Sequence, residues 1–236
     1  MIDLFAVSDH LEIFGRPVTL FVDVDFHLSP GRYALLSQTP EFHRPVIDVV
    51  AGLRPPRRGR VEISRSISWP IGRPGMVRGH ATGLAVIDLI ADMYAVDRDY
   101  AGDVVTMLVS RPDYVDQPMM TWPGYVRQEF IFALGLIPEF DIYVIDAAIP
   151  FEESRFTRLW QALFEERLVG KSLILSSSRP KQLLDYCAKG LVYDGSSLVI
   201  EHDLEQCIEQ FPARPAREEL GAMINEGAID GADIGF

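Results

Sequence analysis

The stretch YALLSQTPEFHRPVIDVVAGL, residues 33–53, predicts a buried strand, an irregular loop and a short helix near Pro45–Ala51. A strand, a loop and a helix in succession are how many α/β proteins present backbone N–H groups to a phosphate. This loop, however, contains no glycine and no Gly-Lys-Ser/Thr sequence. The segment therefore predicts an α/β fold and leaves open what the loop holds.

Strands and helices alternate on the C-terminal side of this segment. The apolar runs in IYVID (142–146) and SLILSSS (172–178) are typical of strands buried on both faces of a parallel sheet. Helical patterns follow each of them, in ESRFTRLWQALFEERL and in KQLLDYC. Asp194-Gly195 lies between two apolar runs and predicts a β-hairpin.

The remaining pattern completes an α/β architecture with an insertion. Near the N-terminus, LFAV, TLFVDVDFHL, GRVEI and SIS (66–68) predict strands, and TLFVDVDFHL alternates between apolar and polar side chains. Helical spacing dominates from 79 to 137, in LAVIDLIADMYAV, YAGDVVTMLV and GYVRQEFIFALGLI. We therefore predict a mixed β layer, a parallel α/β core and a helical subdomain inserted at about 79–137.

Charge excludes some classes of partner. The chain of 236 residues has a net charge of -12, and residues 201–236 contribute -7 of it through nine acidic and two basic side chains. Such a chain repels nucleic acid, so we expect no nucleic-acid partner. Five arginines between residues 54 and 65 form a basic stretch within this acidic chain. We interpret them as a solvated loop between a helix and a strand, with a phosphate or polynucleotide site as the alternative.

Localisation signals are absent from the sequence as given. MIDLFAVSDHLEIF carries charged residues where a signal peptide would be apolar, and no apolar run approaches the roughly 18 residues that span a bilayer. Cys187 and Cys207 have no metal-like spacing. We expect a cytoplasmic protein.

The string SISWPIG (66–72) is the most specific in the chain. It resembles the ISWPVG segment of the ATP-binding-cassette (ABC) subunits that drive bacterial capsular-polysaccharide export. The similarity continues in register through the family's Q-loop, signature, Walker B and H-loop segments, here RPGMVRGHATG, TWPGYVRQEFIFALGL, EFDIYVIDAAIP and SLILSSSRPKQLLDYC. It implies an ABC-ATPase-like P-loop fold over about residues 1–205, followed by an acidic C-terminal tail at 206–236.

The resemblance also shows where the phosphate loop departs from the family. In register, His43 stands at the position of the lysine that binds the phosphates, and Arg44-Pro45 replaces the Ser/Thr pair. Loss of the glycines removes the positive φ angles and close backbone approach that a phosphate cradle requires. We interpret the loop as a surface turn with two solvated cationic side chains, and contact of His43 and Arg44 with an anion stays open.

The other motif positions have changed as well. Arg78 stands at the Q-loop glutamine, and the signature Ser-Ser-Gly has become Pro123-Gly124-Tyr125. Asp146 keeps the Walker B carboxylate, but Ala147 replaces the glutamate that polarises water, and Ser178 replaces the H-loop histidine. We treat His43, Arg44, Arg78 and Asp146 as vestigial nucleotide-site positions. No catalytic or metal-binding residue is assigned, and we expect no cofactor, with ATP and Mg²⁺ as the alternative.

These observations favour a catalytically degenerate ABC subunit, a pseudo-ATPase that acts as a non-hydrolysing partner or regulator of a capsule exporter. The implied partners are the export permease, an active ABC ATPase subunit or both, with a homodimer left open, and the implied location is peripheral at the inner membrane. In the family, the surface beside the Q-loop receives the permease. The candidate partner-binding residues are therefore Trp69, Pro70, Arg73, Arg78 and His80.

Three alternatives stay open. The residues around Trp69-Pro70 could serve only to preserve a turn. The chain could be a scaffold or regulatory interaction protein that uses the cassette fold away from any membrane complex. Last, it could be a nucleotide-binding ATPase with a site rebuilt around His43, Arg44 and Asp146.

Overall fold

A computed structural model of the chain describes residues 1–13, 16–73 and 79–211. The strands within these ranges are β1 (Ile2–Ile13), β2 (Arg16–Leu28), β3 (Arg32–Ser37), β4 (Arg58–Ile63), β5 (Ile67–Ile71), β6 (Ile142–Asp146), β7 (Ser172–Ser176), β8 (Lys189–Tyr193) and β9 (Leu198–Glu201). The α-helices are α1 (His43–Val50), α2 (Gly83–Tyr94), α3 (Arg98–Leu108), α4 (Gly124–Leu134), α5 (Arg155–Arg167), α6 (Pro180–Tyr186) and α7 (Leu204–Gln210).

The chain divides into two compact units. Unit 1 contains Met1–Ser64 and the described residues from Ile174 onward, and unit 2 contains Arg65–Leu173, so that the division falls within β7. Unit 1 has a three-stranded antiparallel sheet in the order β2-β1-β4 and a second set of strands in the order β7-β3-β8-β9. β3 and β8 run parallel, and β8 and β9 form the predicted hairpin.

The hairpin loop is longer than the Asp-Gly pair alone suggests. Tyr193 pairs with Leu198, which leaves a four-residue connection from Asp194 to Ser197. Oδ1 of Asp194 accepts the backbone N–H groups of Ser196 and Ser197 at 2.8 and 2.7 Å. These hydrogen bonds hold the pKa of Asp194 below its usual value despite the opposing effect of burial.

The arginines of residues 54–65 do not form a purely solvated loop, in contrast to the interpretation from sequence. Part of the segment is β4, which pairs with β1. Nη2 of Arg54 lies 2.5 Å from Oδ2 of Asp9, whose side chain is completely buried. The guanidinium of Arg60 lies over the Phe5 ring at 4.4 Å from its centroid. Several of these charges therefore bind groups within unit 1.

Unit 2 contains the predicted helices. α2, α3 and α4 cover the three segments with helical spacing between 79 and 137, and the side chains of Thr82 and Asp97 cap the first turns of α2 and α3. None of the described helices is long and apolar enough to cross a bilayer. The division into a cassette of 1–205 and a tail of 206–236 stays a prediction, and its boundary falls inside α7, where Cys207 is buried.

The strands of unit 2 run in the order β5-β6-β7, with β5 at the edge and parallel to β6. The sequence predicts a strand over 66–68 only, but β5 continues through Pro70 to Ile71. Pro70 lies opposite Val144 after a shift in register, and at this shift Oγ of buried Ser68 accepts the Val144 N–H at 2.8 Å. An edge strand tolerates a proline, and the serine satisfies the amide of the neighbouring strand.

We expect Ser68→Ala to destabilise the protein by about 1–3 kcal/mol, because the buried Val144 N–H loses its acceptor. The free energy of unfolding in urea, measured by circular dichroism, checks this. Ser66→Ala is the matched control, because Ser66 Oγ accepts the Asp141 N–H at 2.9 Å at an exposed position, where water can replace it. An equal loss in both variants would contradict the role of Ser68.

Candidate functional site

The loop after β3 is built differently from a phosphate cradle. Pro40–Phe42 form a single turn of 3-10 helix, and α1 begins at His43 without a side-chain cap. His43 is 1% exposed, and its Nδ1 lies 3.1 Å from Oγ of buried Ser176 at the end of β7. Arg44 is exposed. The interpretation of two solvated cationic side chains is therefore wrong for His43, whose ring packs in the interior of unit 1.

The turn after β7 carries no imidazole at the H-loop position. Ser178 is half-buried there. The neighbouring Ser177 donates from Oγ to Oε1 of Gln182 at 2.8 Å and accepts the N–H of Arg179 at 3.2 Å. These bonds close the turn that leads into α6. The segment is thus a hydrogen-bonded strand-to-helix turn. It has no imidazole at the H-loop position.

In unit 2, Asp146 ends β6, and its side chain is completely buried. Nε of Arg73 donates to its Oδ2 at 2.8 Å, and the Arg73 side chain is only 12% exposed. A buried carboxylate requires a compensating charge, and here a guanidinium provides it. The sequence did not predict this pair, because 73 residues separate its members and nothing local to either one indicates the other.

The turn that carries Arg73 depends on Gly72. Its φ is +80°, and a Cβ at this position would lie 2.5 Å from the Phe132 ring and 2.8 Å from Cβ of Ala147. Any side chain at 72 would therefore be strained and would clash. The N–H of Arg73 closes the turn by donating to the Pro70 carbonyl at 3.3 Å. Ala147, at the position of the family's catalytic glutamate, packs against this turn.

The residues around Asp146 do not fit a Mg²⁺ ion in the manner of the resembled family. Mg²⁺ prefers an octahedral shell of oxygen ligands, which in P-loop proteins includes the Walker B aspartate and a Ser/Thr hydroxyl. Here a guanidinium already binds the aspartate, and Arg44-Pro45 offers no hydroxyl. The described residues also contain no group of three or more His, Cys, Asp or Glu that could hold a metal.

The predicted partner-binding residues have mixed surroundings. Trp69 is half-buried, and its ring lies 5.6 and 5.7 Å from those of Tyr94 and Phe140. Pro70 is buried in β5, and His80 is exposed. Arg78, which is also a predicted nucleotide-site position, lies outside the described residues. Partner binding at these positions stays a prediction, and the packing of Trp69 and Pro70 is consistent with a structural role.

The segment at the ABC-signature position packs through an aromatic side chain. Trp122 is 4% exposed, its ring lies 5.0 Å from that of Phe130, and its Nε1 donates to the Gln117 carbonyl at 3.0 Å. Pro123 precedes α4 at the N-cap, and Tyr125 in the first turn is 55% exposed. Trp122 is therefore a packing residue, while Tyr125 presents its ring to the surface.

No protein-family model matches the chain. Among curated proteins, the ATP-binding protein BexA of Haemophilus influenzae is 28% identical over 194 residues, which cover 82% of this chain and 89% of BexA. The capsule polysaccharide export ATP-binding protein CtrD of Neisseria meningitidis serogroup B is 28% identical over 199 residues, or 84% and 92% of the two chains. The polysialic acid transport ATP-binding protein KpsT of Escherichia coli is 24% identical over 76% of this chain and 82% of KpsT.

The chain is a homologue of capsule polysaccharide export ATP-binding proteins. Solved structures show the same fold. The ATP-binding subunit of an ABC transporter superposes with a TM-score of 0.68 at 17% identity over 95% of this chain and 99% of that one. The dimeric cassette MJ0796 bound to ADP and Pi gives a TM-score of 0.66 at 13% identity, over 86% and 98% of the two chains. The predicted ABC-cassette α/β fold is confirmed.

The expectation that the chain has no cofactor is wrong, because the similar proteins BexA, CtrD and KpsT are ATP-binding proteins. ATP is therefore the nucleotide with which the chain must be tested. The assignments of His43, Arg44, Arg78 and Asp146 as vestigial nucleotide-site positions stay predictions, as does the loss of ATPase activity.

We expect Arg73→Ala to cost about 3–5 kcal/mol of folding free energy, because it leaves the Asp146 carboxylate buried without a compensating charge. Urea unfolding provides the measurement. Arg98→Ala is the control: Arg98 binds Asp92 in a similar charged pair, but both side chains are more than half exposed, at 59% and 58%, so its removal should change the free energy of unfolding far less. Comparable losses in the two variants would contradict the importance of burial at Asp146.

Proposed function

We propose that the chain is a subunit of a capsule polysaccharide exporter that does not hydrolyse ATP. It acts as a partner or regulator, bound to the export permease, to an ATP-hydrolysing cassette or to both. BexA, CtrD and KpsT are ATP-binding proteins, so ATP is the nucleotide that we expect the chain to bind. We expect it to bind ATP without hydrolysing it. This role places the protein at the membrane surface through its partners.

The observation that carries the proposal is the state of residues 146 and 147 at the end of β6, where the resembled family has two acidic side chains. Asp146 is bound to Arg73 at 2.8 Å, and the next residue is Ala147. Hydrolysis requires a group that orients the attacking water. It also requires a cation that neutralises the negative charge of the transferred phosphoryl group, and in P-loop proteins the Walker B carboxylate helps to hold that cation. Alanine cannot orient water, and the surviving carboxylate is already neutralised by a side chain. The described strand end therefore supplies neither function.

Support for a protein partner comes from α2. The apolar side chains of Leu89 and Met93 are 56% and 64% exposed, and their spacing of four residues places them on one face of the helix. Val86, Ile87 and Ala91 on the same helix are buried. The helix therefore has an apolar exterior in addition to its packed side, and exposed apolar side chains of this kind favour protein contacts.

We expect the purified protein to release phosphate from Mg²⁺-ATP no faster than a buffer blank. A coupled phosphate assay measures this, with Asp146→Asn as the control for a contaminating ATPase, because contamination gives equal rates in both preparations. Release by the wild-type protein that Asp146→Asn removes would show that the chain hydrolyses ATP and would refute the non-hydrolysing role.

We expect the double variant Leu89→Ser, Met93→Ser to recover about tenfold less export permease than the wild type, since burial of two such side chains contributes more than the roughly 1.4 kcal/mol that this ratio requires. The measurement is affinity purification of tagged protein from detergent-solubilised membranes, with the permease quantified by mass spectrometry. Val169→Ser is the matched control, because Val169 is 75% exposed and lies just beyond the C-cap of α5. Unchanged recovery of the permease in the double variant would remove α2 from the interface.

A further inference from the structure

The solvent-facing side of α2 carries apolar and acidic side chains in two adjacent rows. Ala85, Leu89 and Met93 are exposed and follow one another at intervals of four residues, so they form a ridge along the helix, here called the α2 ridge. Asp88 and Asp92 repeat at the same interval and form an acidic row beside this ridge. The helix therefore offers apolar contact and negative charge along the same line.

The acidic row belongs to a wider negative surface. The segment from α2 to the end of α3, residues 83–108, contains five aspartates and one arginine, a net charge of -4. That arginine, Arg98, binds Asp92 with its Nη2 2.7 Å from Oδ2, and both side chains are more than half exposed. The hydrogen bond to Asp92 and the charges of Asp92 and Asp88 raise the pKa of the Arg98 guanidinium. The chain's own cation thus already lies at the acidic row.

We propose that the α2 ridge binds an amphipathic helix of a partner protein whose polar side carries lysine or arginine. The apolar side of this helix packs on Leu89 and Met93, and its basic side chains pair with Asp88 and Asp92. The proposal rests on the proposed function in one respect, since it takes α2 to be a partner-binding surface. It adds the chemical class of the segment that binds there.

The spacing of the ridge favours a helix as the bound segment. Side chains four residues apart form the ridges that interdigitate in the most common class of helix packing. From Ala85 to Met93 the ridge is about 12 Å long, which matches about two turns of a second helix. Leu89 and Met93 are 56% and 64% exposed, so a partner helix can remove most of their apolar area from water.

The acidic row decides the charge of the partner. A surface of net negative charge repels acidic helices and anionic lipid headgroups, and it attracts lysine and arginine. Both basic side chains also have apolar stems, which can lie along the ridge while their charged ends reach the carboxylates. The row therefore selects for a basic helix among the many helices that have an apolar side.

Fluorescence anisotropy of the full-length protein with three labelled peptides of about 15 residues, or about four helical turns, tests the proposal. The first peptide has Leu on one side of the helix and Lys on the other. The second has Glu in place of Lys, and the third has the composition of the first in an order without an apolar side. We expect the first to bind at least about tenfold more tightly than the other two.

Two double variants locate the binding on α2. Leu89→Ser, Met93→Ser should weaken binding of the Lys peptide about tenfold, because the apolar contact is lost. Asp88→Asn, Asp92→Asn should weaken it about threefold, as exposed charge pairs do. This second loss should shrink when salt is added, because salt screens exposed charges.

Glu165→Gln, Glu166→Gln is the matched control for charge, because both side chains are exposed on α5 and the net charge changes by the same amount. It should bind the Lys peptide as the wild type does. A loss equal to that of the aspartate variant would show attraction to the whole acidic chain and would overturn the proposal. Equal binding of the three peptides would overturn it as well, as would binding of the Lys peptide that either α2 variant leaves unchanged. If one α2 variant fails to fold by circular dichroism, the other still decides.

The outcome is separable from that of the proposed function. Binding of the Lys peptide at the ridge, together with unchanged recovery of the permease, would remove the permease from this surface and leave the class of partner standing. Failure of the peptide, together with loss of the permease in Leu89→Ser, Met93→Ser, would refute the basic helix and leave the permease contact standing. Phosphate release from ATP is independent of both results.

Discussion

The parallel pairing of β5 with β6 is the constraint on which the chemistry of unit 2 depends. It aligns an edge strand that contains a proline with a fully buried strand that ends in a carboxylate. Ser68 makes this pairing compatible with the shift in register, and Gly72 turns the chain immediately beyond it. The short distance between the strand ends then brings Arg73 to Asp146. An edge strand thus leads directly to the cation that binds the buried carboxylate.

The fold and the predicted loss of ATPase chemistry depend on different residues of this molecule. The fold depends on apolar strands such as β6 and β7 and on helices with one buried face, and these features need no glycine-rich loop or glutamate. The superposition on ABC cassettes at 13–17% identity reflects that core. The chemistry of the resembled family depends on a few residues near strand ends. At two of these strand ends, the residues at the family's motif positions bind other side chains of this chain. His43 lies against Ser176, and Arg73 binds Asp146.

Sequence patterns predicted much of the fold because they are local. Apolar runs, helical spacing and the Asp194-Gly195 pair are read within a few residues, and each led to the observed element. The errors arose where a distant residue decides the outcome. Pro70 suggests the end of a strand until Ser68 is seen to accept the Val144 amide. His43 appears solvated beside Arg44 until Ser176, 133 residues away, is brought to it.

The close fit between Gly72 and Ala147 couples these two positions. A Cβ on residue 72 would lie 2.8 Å from that of residue 147, so the two positions are small together. Residues in such contact do not change independently, and the effect of a substitution at one depends on the other. A side chain at residue 72 would therefore force the turn away from the end of β6, so Gly72 sets how closely these two segments approach each other.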